Sequence, residues 1–341
     1  METIFPKKIQ KDDEIRIISP SSSIKRVGGF DQNLVAKERL EKLGYKVTFG
    51  DHILENDLFY SSSITARIQD LHQAFIDDNV SVVMTTIGGL NSNELLPYID
   101  WEIIRSHPKV FIGYSDITSL HNAIRAQTGL VTYYGPCYSS FKMNELQEYQ
   151  TNEWIKALGQ SEYDLQPSGL WTSDMWFDPN IPRKPMPNSW QVYNSGQATG
   201  ISTGGNIQTY GLQAGTKFLP AVTKPIIFIE QAEGGEPLEF SRELSQMLQI
   251  HPDIAALIIG RFPVENKMSE PNLHSILAKF PVLNTIPVVY HVDFGHTQPI
   301  FTFPLGGMIT VRAKNNADVT IEVLKGCLLY TSDAADELDG V

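Results

Sequence analysis

Cysteine is nearly absent: Cys137 and Cys327 are the only two, which excludes a disulfide framework and a thiolate zinc site. Long apolar runs are missing too. No stretch approaches the roughly 20 apolar residues of a membrane-spanning helix, and the opening METIFPKKIQKDDE lacks the apolar core of a secretory signal, so the expected compartment is the cytoplasm. Positive charge is in short supply. With 27 Lys and Arg against 39 Asp and Glu, the formal charge is -12, which disfavours nucleic acid or an anionic membrane as partner and favours a small-molecule substrate. Neither G-x-G-x-x-G nor G-K-[ST] occurs, so a dinucleotide or P-loop site has little support and no cofactor is expected. What is present is ordinary globular material, 42% hydrophobic and 19% charged. The length of 341 residues favours two domains.

In the first half, β-rich and helical stretches alternate, which predicts an α/β fold with a parallel sheet. Residues 14–19 (EIRIIS) read as a strand running into the loop Pro20-Ser21-Ser22-Ser23, either a substrate contact or a polar connection. Residues 30–43 and 64–76 have helical periodicity, and residues 45–49 and 81–86 read as strands. The last of these runs into Gly88-Gly89-Leu90-Asn91-Ser92-Asn93. Paired glycines after a buried strand permit positive φ and close approach of the backbone to a ligand. They fit an ordinary tight turn, or a peptide N–H serving in an oxyanion hole with a second N–H from Asp116. From residue 196 a second unit begins, glycine-rich at first and suited to tight loops, then strands at residues 225–230, 255–262 and 286–294. A helix at residues 237–250 and a closing hairpin complete it, giving a smaller α+β domain.

Residues 109–117 (KVFIGYSDI) have the layout of a buried strand, a tight turn and a helix start. Such a turn exposes the Ser115 hydroxyl where helix N–H groups point at whatever it attacks. Ser115-Asp116 also fits a plain helix N-cap. In the second unit Glu230 ends an apolar strand, and His296 lies in a Gly-flanked loop after another. A serine, a carboxylate and a histidine so placed are the parts of a nucleophile, an orienting acid and a general base. His291, Asp293 and His296 offer a rival metal site, disfavoured because Gly295 turns the chain.

Six ordered stretches carry a resemblance: TTIGGLNSNELLPYID, PKVFIGYSDIT, TGLVTYYGP, GQATGISTGGNIQT, IIFIEQ and DFGHTQPIFTFPLGG. Over about residues 10–325 the chain resembles the LD-carboxypeptidase family of serine peptidases and, within it, the branch of the microcin C immunity protein MccF. GLNSNE and FGHTQP look like that branch, where the muropeptide branch more often continues glycine-tyrosine-glycine. The resemblance implies Ser115 as nucleophile, His296 as base, Glu230 as orienting acid and the N–H groups of Gly89 and Asp116 as oxyanion hole. It also implies no metal and a homodimer. Gln231 departs from the Asp that many relatives have after the acid.

The expected organisation is an N-terminal α/β domain at residues 1–160, a Pro- and Trp-rich connector at 161–195, a C-terminal domain at 196–325 and the active site between the two. A tail at 326–341 reads as translated adapter sequence, non-native and disordered. Trp171, Trp176 and Trp190 in the connector are either pegs or platforms for a flat nucleobase. Gly88, Asn91, Ser92 and Asn93 are candidate substrate contacts. The expected reaction is cleavage of the amide between an aminoacyl or peptidyl group and a nucleotide-like moiety, an antibiotic-detoxifying activity. The alternatives are release of D-alanine from murein tetrapeptide, or a non-catalytic small-molecule binding protein.

Overall fold

The computed structural model describes residues 2–175, 177–178 and 181–327. In the first half, β1 (Glu14–Ile18), β2 (Lys46–Phe49), β3 (Val80–Thr85), β4 (Val110–Gly113) and β5 (Thr132–Tyr134) form a parallel sheet ordered β5-β4-β3-β1-β2. Its strands are apolar on both faces because both faces are covered. Ile15, Ile17, Val82, Met84, Val110 and Ile112 pack with Leu40 and Trp154 on one side, while Ile18, Val83 and Phe111 pack with Leu71, Phe75 and Leu120 on the other. Loops after β1, β3 and β4 therefore leave one end of the sheet side by side, which places Ser21, Gly88 and Ser115 together.

Residues 161–195 are not a bare connector. They contribute β6 (Tyr163–Leu165), the short pair β7 (Leu170–Trp171) and β8 (Met186–Pro187), and β9 (Gln191–Asn194). The second sheet is completed by β10 (Gly196–Asn206), β11 (Ile226–Glu230), β12 (Ala256–Gly260) and β13 (Val288–Val292), then β15 (Met308–Asn315) and β16 (Asp318–Lys325). Its order is β6-β16-β15-β10-β11-β12-β13-β9. The centre, β10 to β13, is parallel, so Asn206, Glu230 and the segment leading to His296 also leave one end. The intervening β14 (Phe303–Leu305) crosses over and pairs antiparallel with β5, closing the first sheet. Phe303 then stacks on Phe228 of β11, ring centroids 4.2 Å apart. Tyr134, Phe228, Phe294, Phe301 and Phe303 form one buried cluster shared by the two sheets.

Three further expectations are corrected. The glycine-rich region after residue 196 is a continuous strand, not a set of loops. Residues 196–201 pair with β15 and residues 202–206 with β11. A Cβ on Gly204 would stand 1.9 Å from the Phe228 carbonyl oxygen, and one on Gly205 2.5 Å from the Thr118 hydroxyl, so these glycines serve close packing within a strand. The helix expected at residues 30–43 is split into Gly29–Gln32 and Leu34–Lys42. At the break, the Asn33 amide donates to the carbonyls of Val27 and Gly29, a local bond that competes with the helix ladder. Finally, Gly326 and Cys327 are not a disordered tail. Gly326 donates to the Ser161 carbonyl and accepts from the Tyr133 hydroxyl, and Cys327 is buried. The remainder of the expected tail lies outside the described residues. Among the described residues no helix is long and apolar enough to cross a membrane.

Because the Phe303 ring joins the sheets, Phe303→Ala should destabilise by about 3–5 kcal/mol, the range for a large buried aromatic. Urea unfolding checks this. A loss below about 1 kcal/mol would show that the shared cluster does not hold the sheets together.

Candidate active site

Ser115 follows β4 with φ 66°, a left-handed conformation that costs a non-glycine residue roughly 1–3 kcal/mol. This strain accompanies the turn that frees the side chain. The residue in the N-cap position is Tyr114, whose side chain makes no cap bond, so the plain N-cap reading of Ser115 fails. The Ser115 Oγ instead lies 2.9 Å from His296 Nε2, and His296 Nδ1 lies 2.6 Å from Glu230 Oε2. The tautomer consistent with this network has Nδ1–H donating to Glu230 and Nε2 accepting from Ser115.

Glu230 is fully buried and flanked by glycines. A Cβ on Gly295 would lie 2.7 Å from its side chain, and one on Gly260 2.8 Å from its Cβ. Burial opposes charge on the His296 ring, but the adjacent Glu230 carboxylate, with Glu233 beyond it, outweighs burial and raises the imidazole to about 9. Gln231 does not touch the pair. Its Oε1 accepts from Asn266 at 3.2 Å, and the second bond to Glu230 comes from the Tyr134 hydroxyl at 2.7 Å.

Gly88 lies directly on Ser115: an added Cβ would stand 2.8 Å from Ser115 Cβ and 2.9 Å from its Oγ. Gly89 lies equally tightly on Ser21 and Ser22. Neither glycine has positive φ, so close approach alone explains the pair. Among the described residues the N–H groups of Gly89 and Asp116 donate to no protein acceptor. The Asp116 carboxylate braces the surrounding loops, with Oδ2 accepting from Ser21 Oγ at 2.6 Å and from Ser92 N–H at 2.8 Å. Ser92 Oγ donates to the Asp116 carbonyl at 2.7 Å. Ser92 is therefore buried with both polar groups engaged, a brace and not an exposed substrate contact. Asn91 is half-buried, its Oδ1 3.4 Å from Ser21 Oγ, and Asn93 is half-buried.

The tryptophans part ways. Trp190 is a peg: it is buried, and its indole N–H donates to Asp293 Oδ2 at 2.7 Å. Burial pushes the Asp293 carboxyl up to about 6, with Arg261 and the donors Trp190, Ser168 and Asn188 pulling the other way. Asp293 thus belongs to a structural network and His296 to the contacts with Ser115 and Glu230; among the described residues no group of three or more His, Cys, Asp or Glu side chains is placed to hold a metal. Trp171 is half-buried, with the Arg261 guanidinium 4.5 Å from its ring centroid. The next residue, Thr172, exchanges backbone hydrogen bonds with Gln298, two residues past His296. Trp171 is thereby tied to the His296 loop. Trp176 lies outside the described residues.

Sequence reasoning missed the residues that join the two halves. Thr118 donates to the Ser115 carbonyl at 2.7 Å and accepts from Asn206 N–H at 2.9 Å, and Tyr134 bonds both Ser115 N–H and Glu230. Both stand inside the recurring stretches, but hydroxyls next to a strand end carry no periodic signal of their own.

Residues 15–135 match the family model of the LD-carboxypeptidase N-terminal domain, and residues 199–311 that of the LD-carboxypeptidase C-terminal domain. YocD of Bacillus subtilis (strain 168), which carries a carboxypeptidase name, is 38% identical over 91% of this chain and 96% of its own. The structure of an MccF-like protein from Bacillus anthracis str. Ames matches with a TM-score of 0.91 at 40% identity, covering 94% of this chain and 99% of that one. The microcin C7 self-immunity protein MccF, in complex with aspartyl sulfamoyl adenosine, matches with a TM-score of 0.86 at 28% identity, covering 96% and 100%; the Escherichia coli protein of that name is 30% identical over 84% of this chain and 87% of its own. These relatives set aside the non-catalytic reading. The chain belongs to the LD-carboxypeptidase family of serine peptidases and is a hydrolase.

Proposed function

We propose that the enzyme hydrolyses the amide bond between an aminoacyl or peptidyl carbonyl and a nucleotide-like moiety, with Ser115, His296 and Glu230 as its catalytic triad. The observation that carries this reading is the strained Ser115, its Oγ 2.9 Å from His296 Nε2 with Glu230 behind the ring. His296 takes the hydroxyl proton as Ser115 attacks the carbonyl. The N–H groups of Gly89 and Asp116 receive the oxyanion. His296 then returns the proton to the leaving nitrogen, and water, activated by the same base, releases the acid from the acyl-enzyme.

The nucleotide preference is supported by MccF, whose structures hold aspartyl sulfamoyl adenosine and glutamyl sulfamoyl guanosine. One face of Trp171 is occupied by Arg261, and the other is assigned here to a nucleobase. Release of D-alanine from murein tetrapeptide is the competing reading, favoured by the family's LD-carboxypeptidase description.

A side-by-side mass-spectrometric assay decides between them. Aspartyl sulfamoyl adenosine should be cleaved with little D-alanine release, and Ser115→Ala should lose about 10⁴-fold or more in kcat. Fast D-alanine release with intact nucleotide would reverse the substrate assignment, and retained turnover in Ser115→Ala would remove the nucleophile. On the nucleotide substrate, Trp171→Ala should raise KM about tenfold with a smaller change in kcat, the size of one lost stacking contact. An unchanged KM would show that this indole does not stack.

The pH dependence follows from the raised imidazole. The base acts when neutral, so kcat/KM should climb with pH to a midpoint above the ordinary histidine value of about 6.5. The rise is displaced alkaline of the neutral range that an isolated histidine would give. Glu230→Gln removes the anion that holds the proton and should move the midpoint down. A profile flat from pH 6 to 9, or a midpoint unmoved in Glu230→Gln, would count against His296 as base.

A further inference from the structure

The triad is touched by a fourth polar side chain. Tyr134, the last residue of β5, is fully buried. Its hydroxyl donates to Glu230 Oε1 at 2.7 Å and accepts from the Ser115 backbone N–H at 3.2 Å. A phenol carries one donor and two acceptor lone pairs, so both bonds form at once. Glu230 thus has one oxygen on His296 and the other on Tyr134. The ring is held by Phe303 at 5.5 Å and Phe294 at 6.2 Å between centroids. Gly205 leaves it room, since a Cβ there would stand 3.1 Å from the Tyr134 ring.

We propose that Tyr134 is a positioning residue that sets the proton affinity of the Glu230–His296 pair and fixes the strained Ser115 backbone to that same carboxylate. The inference rests on the triad reading above. Donation from the phenol draws charge from Glu230, so the carboxylate holds the imidazolium proton less tightly and His296 is neutral, and able to act, at lower pH. The bond to Ser115 N–H ties the turn of the first sheet to the acid of the second. Burial, and then the charge of Glu230, push the phenol's own ionisation well above the ordinary range, so it remains a donor wherever the enzyme works. The other ionisable groups facing the pair are Tyr114 from the end of β4 and Glu233 from the loop after β11. His121, its ring centroid 6.0 Å from that of Tyr134, is bonded to Thr132 and the Gly113 carbonyl.

The test needs no knowledge of the natural substrate. The rate at which a fluorophosphonate labels Ser115 is followed from pH 5 to 10 in the wild type, in Tyr134→Phe, and in protein carrying 3-fluorotyrosine at position 134. Tyr134→Phe should lower the plateau rate roughly tenfold and move the midpoint up by about one pH unit, the scale of one lost bond to a buried carboxylate. The fluorinated phenol is a stronger donor of the same shape and should move the midpoint down. Opposite shifts distinguish positioning from simple packing. Profiles that superimpose on wild type for both proteins would overturn the proposal. If Tyr134→Phe fails to fold by thermal melting, the fluorinated protein decides alone. Ser115→Ala separates the two levels: continued labelling there would sink the triad reading itself, whereas abolished labelling beside unshifted Tyr134 profiles would sink only the role of Tyr134.

Discussion

Ser115 is tied to the second half of the chain through three of its atoms, directly by His296 and indirectly through Tyr134 and Thr118 of its own half, and the arrangement of the molecule follows from that. Its Oγ meets His296, its N–H meets Tyr134 and through it Glu230, and its carbonyl meets Thr118, which in turn accepts from Asn206 N–H. Asn206 and Glu230 are register partners on neighbouring strands. A positive φ at a non-glycine residue persists only when its surroundings over-determine it. Here the over-determination comes from a second sheet whose strand ends are brought against the first. The aromatic cluster around Phe303 and Phe228 supplies that contact, with a strand from late in the chain completing the first sheet. The contact that holds the sheets together thus also brings their strand ends against Ser115.

Glycine is the means of close approach throughout. Gly88 and Gly89 let one loop lie on Ser115 and on the serine run, Gly260 and Gly295 enclose Glu230, and Gly204 and Gly205 let β10 pass against Phe228 and Thr118. Each position is crowded by specific atoms, so a methyl group there would displace backbone, as at Gly204, or a side chain at or beside the site, as at Gly88, Gly89, Gly205 and Gly295. The enclosure of Glu230 has an electrostatic consequence as well. A carboxylate shielded from water interacts strongly with the ring beside it, which is why His296 is raised despite its own burial.

Much of the first sheet was legible because its strands are apolar on both faces and its helices have clean periodicity; the helix Ile64–Ile76 and the later helix Pro237–Ile250 fall where the pattern places them. The glycine-rich β10 was not legible, because its strand character comes from pairing on both edges and not from side chains. The crossover of Phe303–Leu305 is a long-range contact that no local window contains. Ser115, Glu230 and His296 stood out because each stands at or past the end of an apolar strand and is of a residue type that can serve as nucleophile, acid or base. Tyr134 and Thr118 did not, since a tyrosine at a strand end and a threonine at a helix start look like ordinary packing. Trp190 misled in the opposite direction: an aromatic in an irregular segment suggests a ligand platform, and only its indole bond to Asp293 identifies it as a peg.

Docking of the second sheet is proposed to set a base, His296, on Ser115. The decisive measurement is peptide-mapped fluorophosphonate labelling of the wild type and of His296→Ala under identical conditions. One adduct is expected in the wild type, on Ser115, and a rate lower by about 10³-fold in His296→Ala, since an unactivated hydroxyl is a weak nucleophile. An adduct on another residue, or an undiminished rate in His296→Ala, would contradict it.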